Sequence, residues 1–233
     1  MTKRTIDRSY RFGILLIALL VLFIGSGLLD YTQHFLPARV LVGATSLLLV
    51  FVLFAAVVNV SGARRSLPVQ VMRALVVVTA LVLLLGAFLD RHGIILIGRS
   101  LAILCIGYTV FVVLEFLIQV TKVDTDTIYA SICVYLLMSI AWAFWYSVLY
   151  FLEPGSFSEG HDLATFGQRA MPGELYYSLV TLTTLGYGDV APLTTAARMS
   201  AALEAVFGQI YVIVLVARLV GLNVSQVATD EDA

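Results

Sequence analysis

Apolar residues fall along this chain in six long runs, about 12–29, 40–60, 69–89, 94–119, 128–152 and 196–220, separated by short polar breaks. A helix that crosses a bilayer needs roughly 20 apolar residues, so each run predicts one span. A seventh run, 173–183, is far shorter and suits a helix that enters the membrane and turns back. All five prolines, Pro37, Pro68, Pro154, Pro172 and Pro192, fall between the runs. Proline breaks helix interiors but is accepted in a first turn. Pro68 and Pro172 therefore read as first-turn prolines of the third helix and of the short helix. The expected fold class is an all-α membrane protein with six transmembrane helices and one re-entrant helix.

The longest polar break on the expected inner side is Thr121-Lys122-Val123-Asp124-Thr125-Asp126-Thr127. It divides a four-helix domain, 1–122, from a helix, short loop-borne helix and helix, 123–223, with a short acidic tail at 224–233. The dozen or so residues after 221 are too few for a soluble ligand-binding domain. Lys3, Arg4, Arg8 and Arg11 precede the first run and resemble the start of a signal peptide. The apolar stretch behind them is longer than the roughly 7–15 residues of such signals, and no Ala-x-Ala site follows, so an uncleaved first span is expected.

Basic residues give the orientation. Lys3, Arg4, Arg8, Arg11, Arg64, Arg65, Arg73, Lys122 and Arg218 lie on one side; Arg39, Arg91, Arg99, Arg169 and Arg198 lie on the other. The richer side is expected to be cytoplasmic, with both termini inside and the short helix entering from outside. A multi-pass protein of the plasma (inner) membrane follows.

Composition narrows the function. The chain is 61% hydrophobic and 12% charged with a formal net charge of −1, which leaves no basic surface for nucleic acid. Cys105 and Cys133 lie inside apolar runs and read as packing thiols. No Ser/His/Asp set, metal cluster or phosphate loop appears, so neither an enzyme nor a cofactor is expected. His34, His92 and His161 all fall in expected outer loops.

One segment carries specific chemistry: Thr183-Thr184-Leu185-Gly186-Tyr187-Gly188-Asp189 follows the short helix directly. Successive carbonyls of a strand point in opposite directions. Alternate residues in the left-handed region bring them to one side, and glycine takes up that conformation without a Cβ clash. Gly186 and Gly188 have that spacing. Rings of such carbonyls replace the hydration shell of a potassium ion.

From Tyr176-Tyr177-Ser178-Leu179-Val180-Thr181-Leu182 through this segment, the chain resembles the tetrameric potassium-channel family, over about 128–221. The resemblance implies a homotetramer in the lipid bilayer with K⁺ as the permeant ion. Thr184, Leu185, Gly186, Tyr187 and Gly188 would line the selectivity filter, with K⁺ sites formed at Thr184, Leu185, Gly186 and Tyr187. Thr184 would add its hydroxyl at the inner end. Leu185 stands where valine is usual, and its side chain is expected to point into the packing of the short helix. Tyr176, Tyr177 and Tyr187 resemble the aromatic belt around the filter, with Val180, Thr183 and Asp189 as further support. At Val180 some relatives carry a glutamate that bonds to the aspartate after the filter, so Asp189 needs another partner. Gly208, in the last helix, stands where the family often has a hinge; a close helix contact is the alternative. Glu204 is an intramembrane carboxylate, functional by default, and is expected to bond to the back of the short helix or to act in gating.

Four helices ahead of a pore resemble a voltage-gated architecture, but a voltage sensor needs several arginines at every third position. The fourth run has Arg99 alone, about six residues in from the outside. Arg99 is expected to snorkel or to pair with Asp30 or Asp90, and Glu115 is expected to pair with Arg73. Two other functions are compatible with the pattern: a K⁺ transporter subunit, and a non-conducting membrane scaffold with a vestigial pore.

Overall fold

Seven helices follow the seven apolar runs. In a computed structural model the chain is described over residues 11–31, 38–61, 67–89, 92–158 and 172–231. The helices are α1 (Arg11–Tyr31), α2 (Ala38–Ser61), α3 (Leu67–Leu89), α4 (His92–Gln119), α5 (Thr125–Leu152), α6 (Pro172–Leu182) and α7 (Thr195–Glu231). Pro172 opens α6, and Pro68 is the second residue of α3. His34 and His161 lie outside the described residues, as do the side chains of His92, Asp30 and Asp90.

Three of the described helices are long and apolar enough to cross a membrane, over Gly93–Gln119, Thr125–Leu152 and Thr195–Leu222. The described apolar stretches in α1, α2 and α3 are shorter: Phe12–Leu28, Gly43–Ala56 and Met72–Gly86. Beyond the sequence expectation, α7 continues past 220 as far as Glu231, so 224–231 is helical. No proline follows Gly221, and one glycine costs a helix only about 1 kcal/mol.

The helices pack in chain order from α1 to α4, and both α1 and α4 lie along α5. Leu15 and Leu19 of α1, Val52 and Leu53 of α2, and Ala102 and Ile106 of α4 share one buried core with Val134, Leu137 and Ile140 of α5. The front helices therefore pack on the α5 of their own chain. Cys105 and Cys133 are free and buried in this core.

The polar break at 121–127 is a joint between helices. Asp124 caps α5, accepting from the backbone N–H of Thr127 at 2.8 Å and from its hydroxyl at 2.6 Å. Asp126 reaches across to α1, where its carboxylate accepts from the backbone N–H of Phe12 at 2.9 Å. A helix start carries unpaired N–H groups and a partial positive charge, and Asp126 answers both from another helix. Arg218 does the converse at the end of α4. Its guanidinium donates to the carbonyls of Leu117 (3.1 Å), Ile118 (2.5 Å) and Val120 (3.0 Å), against the negative end of the helix. Glu115, near that end, accepts from Gln119.

Two outcomes are expected. Asp126→Ala should lower the stability of the full chain in detergent by about 1–2 kcal/mol; an unchanged thermal midpoint would count against the interhelix cap. The Asp124 carboxyl lies below the usual carboxylate range, chiefly because of the Thr127 hydroxyl. Its contribution is therefore complete above the unfolded-state pKa and lost as pH falls through the lower folded-state value. Thermal midpoints followed from neutral to strongly acidic pH should fall less steeply in Asp124→Asn than in wild type.

Candidate functional site

The short helix α6 ends in a turn made by the candidate filter itself. The N–H of Leu185 donates to the Val180 carbonyl (2.9 Å) and that of Thr184 to the Thr181 carbonyl (2.9 Å). This pair of bonds is the Schellman pattern of a helix end, which requires a left-handed residue just past the helix. Here that residue is Thr184, with φ of 58°. Glycine is the usual occupant, because any Cβ costs energy in that conformation. The N–H of Gly186 adds a bond to the Val180 carbonyl at 3.3 Å.

Left-handed backbone then recurs at Gly186 (φ 57°) and Gly188 (φ 79°). Thr184, Gly186 and Gly188 thus alternate in hand with Leu185 and Tyr187. Alternating hand cancels the usual alternation of carbonyl directions, so the stretch 184–188 can present a row of oxygens on one side. A row of this kind coordinates a dehydrated cation by backbone dipoles. Among the described residues no cluster of three or more His, Cys, Asp or Glu side chains could hold a metal ion.

The surroundings hold this segment from several directions. Past the segment Tyr176 donates its hydroxyl to Asp189 Oδ2 at 2.6 Å, and the N–H of Val190 donates to Asp189 Oδ1 at 3.0 Å. Tyr176 is thus the partner that Val180 cannot be, and its hydroxyl lowers the pKa of Asp189. Ser158 and Leu193 N–H groups donate to the Ala191 and Ser156 carbonyls at 2.8 and 2.7 Å, pinning the loop after α5 to the turn after the segment. Where the segment leaves α6, Gln209 Nε2 lies 3.4 Å from the Thr184 hydroxyl.

Glu204 is fully buried behind α6. Its Oε2 accepts from the Tyr146 hydroxyl at 2.5 Å. The Ser178 hydroxyl lies 2.5 Å from Oε1 and 2.8 Å from the Ser139 carbonyl. Ser178 has one proton for two oxygens, and the network closes when the carboxyl contributes a proton of its own. One group on α7 thereby ties α5 and α6 together. One helical turn further along, Gly208 touches the end of α6: a Cβ there would sit 2.4 Å from the Leu182 carbonyl and 2.9 Å from its side chain. The same carbonyl accepts from the Tyr135 hydroxyl at 3.1 Å. Tyr135 stacks on Tyr211, which donates to the Ser131 carbonyl at 2.7 Å. In this structure Gly208 therefore serves a close helix contact.

Residues 116–224 match the family model for ion channels. The matched segment is somewhat under half of the chain. It begins in the last turn of α4 and takes in α5, α6, the alternating backbone and most of α7. No curated protein and no solved structure matched the chain.

The expected residues are distributed unevenly around the matched segment. Val180 is buried and gives the carbonyl that ends α6, while Thr183 bonds back to the Leu179 carbonyl at 2.6 Å. The three tyrosines do not form one belt within the chain. Tyr177 turns away into an aromatic cluster with Tyr146 and Phe157 at ring distances of 5.0 and 5.1 Å. Tyr187 is 67% exposed. Leu185 is 55% exposed within one chain. Tyr135, Tyr146, Ser178 and Gln209 were missed: tyrosine and serine inside an apolar run give no signal until a partner faces them. Glu174 was missed although an acid in an apolar helix is itself a signal.

Glu204→Gln keeps a donor and an acceptor and should hold stability within about 1 kcal/mol, whereas Glu204→Ala strands the buried Tyr146 hydroxyl and should cost about 1–3 kcal/mol. Equal losses in the two variants, by thermal unfolding, would remove the hydrogen-bond account. Gly208→Ala should cost about 1–3 kcal/mol by overpacking against α6; an unchanged midpoint would show that the contact yields freely.

Proposed function

We propose that the protein is a passive, potassium-selective channel, formed by four copies of the chain in the plasma (inner) membrane. The observation that carries this reading is the alternation of left-handed φ at Thr184, Gly186 and Gly188 immediately after α6. Thr184 to Gly188 line the filter, K⁺ being held at Thr184, Leu185, Gly186 and Tyr187, and one chain supplies a quarter of each oxygen ring. Residues 123–223 are the pore domain and 1–122 a front domain without a conventional voltage sensor. The end of α7 reaches toward the cytoplasm, as do both termini.

Exposure supports the assembly. Only 6% of the apolar window of α7 is buried within one chain. Leu203, Phe207, Ile210 and Val214 are open, as are Leu185 and Tyr187 beside the filter. These surfaces fit neighbouring copies and lipid better than water. In the proposed orientation α6 points its carboxyl end toward the membrane centre, where its partial negative charge favours a cation. Arg99 alone cannot supply steep voltage dependence, because each charge crossing the membrane is worth about 2.3 kcal/mol per 100 mV and several are needed.

Protein in liposomes should carry K⁺ in preference to Na⁺ and be blocked by Ba²⁺. Gly186→Ala should abolish the flux, because alanine resists the left-handed φ of 57°. Equal K⁺ and Na⁺ permeability would sink the selectivity claim. Absence of flux at every voltage and pH would favour a non-conducting scaffold.

A further inference from the structure

The single arginine of α4 is buried, with 6% of its surface exposed. A guanidinium inside a helical core is costly unless its charge is met. Its partners come from the pore half of the chain. Arg99 Nη1 donates to the Ser147 hydroxyl on α5, and the Ser147 hydroxyl donates to Glu174 Oε1 at 3.2 Å. Glu174 is fully buried and acts electrostatically on the Arg99 guanidinium. It stands in the first turn of α6, where the partial positive charge of the helix start also favours a carboxylate. Three helices, α4, α5 and α6, thus share one charge-compensated relay.

The position of Glu174 gives the relay its consequence. α6 has eleven residues, about 16 Å at 1.5 Å per residue, and a helix that short moves as a rigid rod. Its first turn holds Glu174 and its last turn closes on Thr184. Whatever fixes the first turn fixes where the filter begins. Gly98, the residue before Arg99, is crossed closely by Leu83 of α3, since a Cβ there would lie 2.8 Å from Leu83 Cδ2. The arginine is therefore held on a helix that is itself tightly packed.

We propose that Arg99 is a positioning residue for the filter, a fixed strut that runs through Ser147 to Glu174 and sets the placement of α6. The proposal rests on the channel reading for its functional half and on the relay alone for its structural half. It makes the single arginine of α4 immobile in the membrane field. It also gives the front domain a direct hold on the outer end of the pore, distinct from the Arg218 contacts at the inner end.

The test uses the full chain as Arg99→Gln, Glu174→Gln, the double variant and Arg99→Lys, with Val113→Ala as a control for buried packing on α4 away from the relay. Thermal midpoints in detergent and K⁺ and Na⁺ flux in liposomes are measured on each. Each single neutralisation should reduce K⁺ flux by about ten-fold or more and narrow the K⁺/Na⁺ ratio, since it leaves one buried charge uncompensated. The double variant should have a midpoint no lower than the worse single, because the two changes remove the same interaction. Arg99→Lys keeps the charge and should restore most of the flux, and Val113→Ala should lower the midpoint while leaving the ion ratio unchanged. The proposal is overturned if Arg99→Gln conducts and selects as wild type does, or if the double variant shows the sum of the single shifts. If the single neutralisations do not fold, loss of K⁺/Na⁺ discrimination in the shortened Glu174→Asp supports the strut and retention overturns it. A wild type that conducts no ions fails the channel reading alone; the midpoint cycle then decides the relay, non-additivity supporting it and additivity removing it.

Discussion

A backbone held in alternating hand is the constraint that the rest of this structure serves. Left-handed φ at three alternate positions, one of them a threonine, is not a conformation a free chain keeps. A non-glycine residue there costs about 1–2 kcal/mol, and such strain persists only where the surroundings over-determine it. The Schellman turn at the end of α6 is the first of those determinants. It makes Thr184 at once the cap of a helix and the first residue of the alternating segment, so the placement of α6 and the conformation of that segment cannot be set independently.

The buried polar groups of the pore half are arranged around that rod. Glu174 holds its start, Ser178 its middle and the Leu182 carbonyl its end. Each is met from a different quarter: Arg99 and Ser147 from α4 and α5, Glu204 and Tyr146 from α7 and α5, Tyr135 from α5 with Gly208 of α7 pressed against the same carbonyl. Hydrophobic packing alone would leave a smooth helix free to slide or rotate by small amounts. Directional bonds at three heights remove that freedom, because each buried donor or acceptor loses about 1–3 kcal/mol when its partner moves away. Polar groups inside an apolar assembly here specify position more than they add stability.

Much of the architecture could be read from the chain because hydropathy and proline placement act locally. The helix starts at Pro172 and near Pro68, and the existence of all seven helices, follow from residues within a turn or two of each boundary. Gly186 and Gly188 likewise announce their own backbone angles. What could not be read depends on pairs far apart in sequence. Asp126 reaches Phe12 across 114 residues, Arg218 reaches Leu117 across 101, and Tyr146 reaches Glu204 across 58. Arg99 shows the difficulty best. Its relay leads to Glu174, which the sequence hides behind a loop and a proline. The end of α7 depends on something else: an acidic, polar stretch reads as a tail, and it contains nothing that stops a helix.

The helix α4 also shows how a voltage-sensor-like framework can be put to a different use. It keeps one arginine near its outer end and accepts another, Arg218, at its inner end. Neither is free to move through the field: the first is buried against α5 and α6, and the second caps the α4 carbonyls from α7. A charge contributes to voltage sensing only if its position changes between states, and charges consumed in interhelix bonds resist such change. The same interactions make α4 a brace, joined to the start of α6 through Ser147 and to Arg218 of α7. A stimulus acting on the front helices therefore has two fixed points through which to reach the alternating backbone, and a displacement of α4 must strain both or break one.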